Sequence, residues 1–245
     1  MAGLAKRYKR AGKRVSMAWR TGLINHSPDW MRRHFGPAAI RLDMLLMDHG
    51  IFRLAYLNKH ALARDAWRSA QPAPHHFHRI KRDGVKTIVN LRGERMCGSY
   101  WLEEQVCKDL GLELINFQVR SRAAPTVEEL RRAKALFQRI EYPMLMHCKS
   151  GADRAGLMSV LYRHFREGMP IEKAKDELSL KYGHIRQADT GILDYFFERY
   201  VADNEEQPIA FMDWVETRYD SEEVTESFKS NGWANRFVDS VLQRE

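Results

Sequence analysis

Residues 147 to 156 read His-Cys-Lys-Ser-Gly-Ala-Asp-Arg-Ala-Gly, and this decapeptide constrains the fold more than any other part of the chain. An apolar run, Pro143-Met144-Leu145-Met146, precedes it. Leu157, Val160, Leu161 and Phe165 follow at the three- and four-residue spacing of a helix face. The segment therefore predicts a buried strand, a tight glycine-containing loop and a helix. Such a loop aims successive backbone N–H groups, and the positive end of the helix, at one point in space. An anion is favoured there, and so is the thiolate form of a cysteine. Cys148 lies six positions before Arg154, whose guanidinium can grip two phosphate oxygens in fork geometry. These parts fit a phosphate monoester above a sulfur nucleophile, with backbone amides of Lys149, Ser150, Gly151, Ala152, Asp153 and Arg154 as donors. On spacing alone, the cysteine also reads as a small core hydrophobe.

Elsewhere, hydrophobic periodicity predicts strands over 65–72, 85–91 and 112–119, and helices over 101–110 and 126–140. A helix over 170–182 closes at Gly183, and another starts near Asp189 and carries Leu193, Phe196, Phe197 and Tyr200. Strands alternating with helices predict an α/β fold with a central, mostly parallel sheet flanked by helices. Three parts are expected. Residues 1–65 form a basic, partly helical N-terminal extension, with amphipathic helices over 30–57 interrupted near Pro37 and Gly50. Residues 66–203 form the catalytic domain. Residues 204–245 form a helical C-terminal tail whose Phe211, Trp214, Phe228, Trp233, Phe237, Val241 and Leu242 either complete the core or meet a partner.

The His-Cys-five residues-Arg loop followed by a helix resembles the signature loop of the cysteine-dependent protein tyrosine and dual-specificity phosphatases. Ala66-Trp67-Arg68-Ser69-Ala70-Gln71-Pro72 and Val85-Lys86-Thr87-Ile88-Val89-Asn90-Leu91-Arg92 are similar to the opening strands of the bacterial and fungal dual-specificity-like members. The resemblance covers roughly residues 66 to 200, the length of one domain. It implies a dual-specificity-phosphatase-like fold and hydrolysis in two steps. Cys148 attacks phosphorus in line, and water then hydrolyses the phosphocysteine, with no metal or other cofactor. The implied substrate is a phosphorylated protein or, alternatively, a phosphoinositide, another phospholipid or a phosphosugar.

Many members supply the leaving-group acid as an aspartate about thirty residues before the cysteine. The matching stretch here, 116–125, contains no aspartate or glutamate. Glu128 and Glu129 come next, but Thr126 and Glu129 form a capping-box pattern that opens a helix. Asp153, inside the loop, is the expected acid, since some lipid-directed and bacterial members are thought to use an aspartate there. A carboxylate crowded by a thiolate and a phosphate dianion holds its proton more tightly, as a general acid near neutral pH requires. The alternative is that Asp153 caps the helix. Ala155 stands where the family usually has serine or threonine, whose hydroxyl is thought to help the thiolate leave. That departure predicts a slow second step and motivates a competing reading, a catalytically weak phospho-binding scaffold. Lys149, Arg120 and Arg122 either line the mouth of the pocket for an acidic substrate or are solvated charges. His147 either orients the loop or is a core histidine.

Three cysteines, Cys97, Cys107 and Cys148, are too few and too unpatterned for a disulfide framework, which implies a reducing, cytoplasmic compartment. Cys97 and Cys107 read as packing residues, or as partners for Cys148 under oxidation. His75, His76 and His78 have no second ligand cluster to complete a metal site. The net charge of +8 is uneven, because Lys6, Arg7, Lys9, Arg10, Lys13, Arg14 and Arg20 crowd the first twenty residues, without an acidic neighbour. With no apolar core behind them they make a poor secretory signal. They fit peripheral contact with an anionic membrane or a solubilising tail. Nucleic acid ranks low, for lack of a recognisable module.

Overall fold

The structure is a computed structural model and describes residues 57–95 and 97–230. The basic N-terminus, the expected helices within 30–56 and the aromatic residues beyond 230 lie outside them. Of the described residues, all but Cys97–Ser99 fall in one compact unit.

Five strands make one sheet: β1 (His60–Ala63), β2 (Ala66–Ala70), β3 (Thr87–Asn90), β4 (Glu113–Asn116) and β5 (Met144–Cys148), in the order β1-β2-β5-β3-β4. All neighbours pair in parallel except β1 with β2. Parallel strands need crossovers, supplied by α1 (Pro74–Arg82), α2 (Gly98–Asp109) and α3 (Val127–Arg139). β5, in the middle of the sheet, runs into α4 (Asp153–Glu167). The remaining helices are α5 (Ile171–Ala174), α6 (Ile192–Glu206), α7 (Phe211–Thr217) and α8 (Ser221–Ser230).

Side chains alternate across a strand, so β3 and β5 are apolar on both sides. Val89, Met144 and Met146 join the larger core with α3, α4, α6 and α7, while Ile88 and Leu145 meet Phe77, Ile80 and Cys107 of α1 and α2. Of the two readings of the C-terminal segment, the described part shows packing: Phe211, Trp214, Val215, Tyr219 and Val224 are buried in the larger core. Phe211 and Trp214 stack at 6.3 Å.

Two local expectations need correction. Residues 60–63 lie in the stretch read as an extension, yet they form β1; the strand is short, irregular in register and carries little of the β-branched content that marks a strand. The single helix expected over 170–182 breaks after Ala174 into 3-10 turns at Lys175–Glu177 and Leu180–Tyr182 before Gly183 closes it in the left-handed conformation. The reason is tertiary: the Glu177 carbonyl is taken by Arg68 at 2.7 Å instead of by the next helical turn.

Candidate active site

Ligands in open α/β sheets bind beyond the carboxyl ends of the strands, where strand order reverses. Here β2 and β3 flank β5, and the loop after β5 lies at that point. Its glycine has no substitute. Gly151 has a φ of +78°, and a Cβ on it would sit 2.7 Å from the backbone of both Ser69 and Ala70.

The orientation of the loop follows from what holds its carbonyls. Asn58 Nδ2 donates to the Ser150 carbonyl at 2.9 Å. Arg68 Nη2 donates to the carbonyls of Gly151 and Ala152 at 2.9 and 3.0 Å. In a planar trans peptide the C=O and the following N–H point in opposite directions. Tying back three carbonyls therefore turns the N–H groups of Gly151, Ala152 and Asp153 the other way. The first is seen to arrive, since Gly151 N–H donates to Cys148 Sγ at 3.2 Å.

Arg68 is fully buried. Its Nη1 also meets Glu177 Oε2 at 3.1 Å, and the Tyr182 ring lies 3.9 Å from its guanidinium carbon. Burial pulls its pKa down, and the Glu177 charge opposes that. Asn58 also donates to the Tyr182 carbonyl at 3.0 Å, so one side chain joins the loop to the 180–183 turn.

A second polar group lies at the base of the loop. His147 and Glu103 are both buried, with His147 Nε2 2.5 Å from Glu103 Oε1, close enough for an ion pair though not aligned as a hydrogen bond. Gln71 Nε2 donates to Glu103 Oε2 at 2.7 Å, and Arg92 Nη1 donates to Gln71 Oε1. His147 thus anchors a network that reaches from β5 to the segments after β2 and β3.

Half-buried Arg154 follows Asp153 in the first turn of α4, and its side chain makes no hydrogen bond or ion pair among the described residues. Burial lowers its pKa, the Cys148 charge raises it, Arg92 and Arg95 lower it, and Asp153 raises it. The cationic surroundings of Arg154 therefore come from Arg92 and Arg95, which the sequence did not single out. Of the arginines it did, Arg120 turns to the Ala124 carbonyl at 3.5 Å and Glu129 at 3.3 Å. Arg122 faces Asp189 across 3.8 Å, both exposed. Lys149 is half-buried, Ser150 is exposed and Ala155 is buried.

Asp153 does not cap the helix with its side chain: the N-cap is Ala152, with no side-chain cap bond. Instead its Oδ1 lies 2.8 Å from His184 Nδ1, and His184 Nε2 lies 2.7 Å from Asp194 Oδ2 on α6. Burial works against charge on His184, but the two carboxylates outweigh it and push its pKa up to about 9. The 116–125 stretch holds no acid, and Thr126 and Glu129 form the reciprocal capping box at 3.1 and 2.7 Å. Cys107 packs on the opposite face of the sheet from Cys148, its pKa pushed up to about 12 by burial and the Glu103 charge. His76 Nδ1 accepts the Ala73 N–H at the start of α1.

A mostly parallel sheet that delivers a cysteine into an amide-lined loop, with an arginine in the first turn of the helix behind it, defines the cysteine-dependent phosphatase class. The chain belongs to the dual-specificity and tyrosine phosphatase family, in the group described as "DSP-PTPase phosphatase fused to NAD+ Kinase", whose model matches residues 57–192. The dual specificity protein phosphatase TpbA of Pseudomonas aeruginosa PAO1 is 29% identical over 122 residues, which are 50% of this chain and 53% of that protein. The chain spans about half the length of the curated relatives it matches. The crystal structure of P. aeruginosa TpbA aligns with a TM-score of 0.49 at 18% identity, over 65% of this chain and 88% of that one. That of PTPMT1 aligns with a TM-score of 0.45 at 19% identity, over 61% and 99%. Among the described residues, no helix is long and apolar enough to cross a membrane.

Proposed function

We propose that the protein hydrolyses phosphate monoesters through a phosphocysteine on Cys148. The observation that carries this reading is the Gly151 N–H directed at Cys148 Sγ, from a loop whose next two N–H groups are turned the same way. Donors fixed in advance where charge develops are usually the largest contribution to such a rate. In the first step the Cys148 thiolate attacks phosphorus, the phosphorus–oxygen bond breaks, and the leaving oxygen takes a proton from Asp153. Arg154 holds the non-bridging oxygens. In the second step water attacks phosphorus, Asp153 takes a proton from it, and the thiolate leaves.

A phosphorylated protein is the first substrate class, in line with the name of the matched relatives. The charges of Arg92 and Arg95, near enough to lower the Arg154 pKa, favour a second reading, a more highly charged ester such as a phosphoinositide. The domain limits proposed are a phosphatase domain over 66–203 with flanking segments, the preceding one contributing β1 to its sheet, and the compartment proposed is the cytoplasm. Basic residues 1–20 provide the route to a membrane surface.

The test is metal-free turnover of para-nitrophenyl phosphate, a phosphotyrosine peptide and a phosphoinositide panel, with Cys148→Ser beside the wild type. Loss of all turnover in Cys148→Ser supports the reading, and the substrate ranking assigns the class. Phosphate binding without turnover in the wild type would instead favour a scaffold, as buried Ala155 in place of a hydroxyl residue allows.

A further inference from the structure

Among the buried titratable groups that the proposed mechanism does not use, His184 is the one bonded to its acid. His184 is 1% exposed, yet both ring nitrogens are engaged, by carboxylates from two different helices. One of these, Asp153, belongs to the signature loop and keeps a side chain 27% exposed. The other, Asp194, is nearly buried in the first turn of α6. His184 is itself fixed by its backbone, whose N–H donates to the Ser179 carbonyl at 3.1 Å. The preceding Gly183 lies against Ala152, at 3.9 Å from a Cβ built on it to the Ala152 Cβ. A buried imidazole held at three points has one orientation, and so does the carboxylate bonded to it.

We infer that His184, tethered by Asp194, is the positioning residue for Asp153 and the store of the proton that Asp153 delivers. The inference rests on the proposed role of Asp153 as general acid. Before substrate binds, the proton sits on Nδ1 and Asp153 is a carboxylate. When the thiolate and the phosphate dianion gather beside Asp153, their like charge favours the neutral carboxyl, and the proton crosses from Nδ1 to the carboxylate. It then passes to the leaving oxygen as the phosphorus–oxygen bond breaks. The imidazole stays neutral, with its remaining N–H on Asp194. In the second step the proton taken from water by Asp153 returns to Nδ1, which restores the starting state.

An aspartate alone loses its proton near pH 4; shared with His184, the pair keeps one to higher pH. The charged groups nearest His184 are Asp153 on α4 and Asp194 on α6. Lys175, Asp176, Arg186 and Glu198 line the adjoining cleft of about 260 Å³. Arg186 is paired with Glu198, so the two carboxylates bonded to the ring dominate its state.

The experiment compares pH profiles of kcat/KM for a poor leaving group (phenyl phosphate) and a good one (para-nitrophenyl phosphate). The proteins are wild type, His184→Asn, Asp194→Asn, Asp153→Asn and the double variant Asp153→Asn with His184→Asn. His184→Asn is expected to lose about tenfold more on phenyl phosphate than on para-nitrophenyl phosphate. Its alkaline limb on the poor substrate should move to lower pH, and the extra loss should vanish in the Asp153→Asn background. Asp194→Asn, which keeps the hydrogen bond without the charge, should show a weaker version of the same selectivity. A misfolded variant would lose both substrates alike. Equal losses on both substrates in both variants, or an alkaline limb that stays in place, would overturn the inference. If Asp153→Asn is steep on leaving group while His184→Asn is flat, only the inference fails. If Asp153→Asn itself is flat, the acid assignment falls and takes the inference with it.

Discussion

The signature loop is gripped from two sides by different chemistry. On one side Arg68 and Asn58 hold three backbone carbonyls. On the other, His184 holds the side chain of Asp153. Arginine stays charged at any working pH, so the grip that shapes the amide cradle is permanent. His184, with its pKa pushed up to about 9, can still lose its proton within the working range, so the grip on the acid responds to protons. The molecule thus separates the groups that bind a phosphate from those that manage a proton.

The largest effect should come from breaking the permanent side. Arg68→Met leaves the carbonyls of Gly151, Ala152 and Glu177 without their donor and the Glu177 carboxylate with Arg163 alone, and removing one partner of a buried pair costs about 3–5 kcal/mol. Urea unfolding should register that loss, with little change between pH 6 and pH 9. A loss that grew or shrank across that range would erase the distinction between the two sides.

Gly151→Ala attacks the same side through the backbone. The added carbon meets Ser69 and Ala70 backbone at 2.7 Å and strains a left-handed residue, a cost of about 2–4 kcal/mol. Vanadate affinity should fall with stability, read by equilibrium titration and unfolding of the same sample.

On the titratable side the sign of the pH effect is fixed. The folded His184 value, about 9, lies above the ordinary 6.5. Its stabilisation is therefore fully present below about pH 6.5 and lost as pH rises through 9. His184→Gln should cost about 1.5 kcal/mol at pH 6, and the gap from wild type should narrow by pH 10. The measurement is the difference in urea midpoint as a function of pH.

The smallest effect serves as a reference. Thr126→Ala removes the α3 cap and should cost about 1 kcal/mol, without altering the leaving-group dependence measured for the acid.

Much of this arrangement was legible in the residues themselves. The apolar run before Cys148, the amphipathic helix after Arg154 and the Thr126–Glu129 box are local signals, and the structure contains each of them. Arg68 was invisible because a polar residue in a strand ordinarily marks a solvent face; only Glu177 and the loop carbonyls, all distant in sequence, explain its burial. His184 was likewise hidden. It follows a helix-closing glycine, where a polar residue carries no expectation, and its two carboxylates come from different helices. Arg92 and Arg95 sit after a strand whose end faces the loop, so the sheet order, with β5 between β2 and β3, was needed to find them.

The tie from Arg68 to Gly151 joins residues 83 apart, and the one to Glu177 spans 109. Contacts of such separation form late, because chain entropy must be lost before they reward it. Helical circular dichroism should therefore return before phosphate affinity when the chain refolds. A growing chain on the ribosome that has not yet passed residue 177 carries its cysteine and its arginine, but one of the groups that hold Arg68 in place is still to be made.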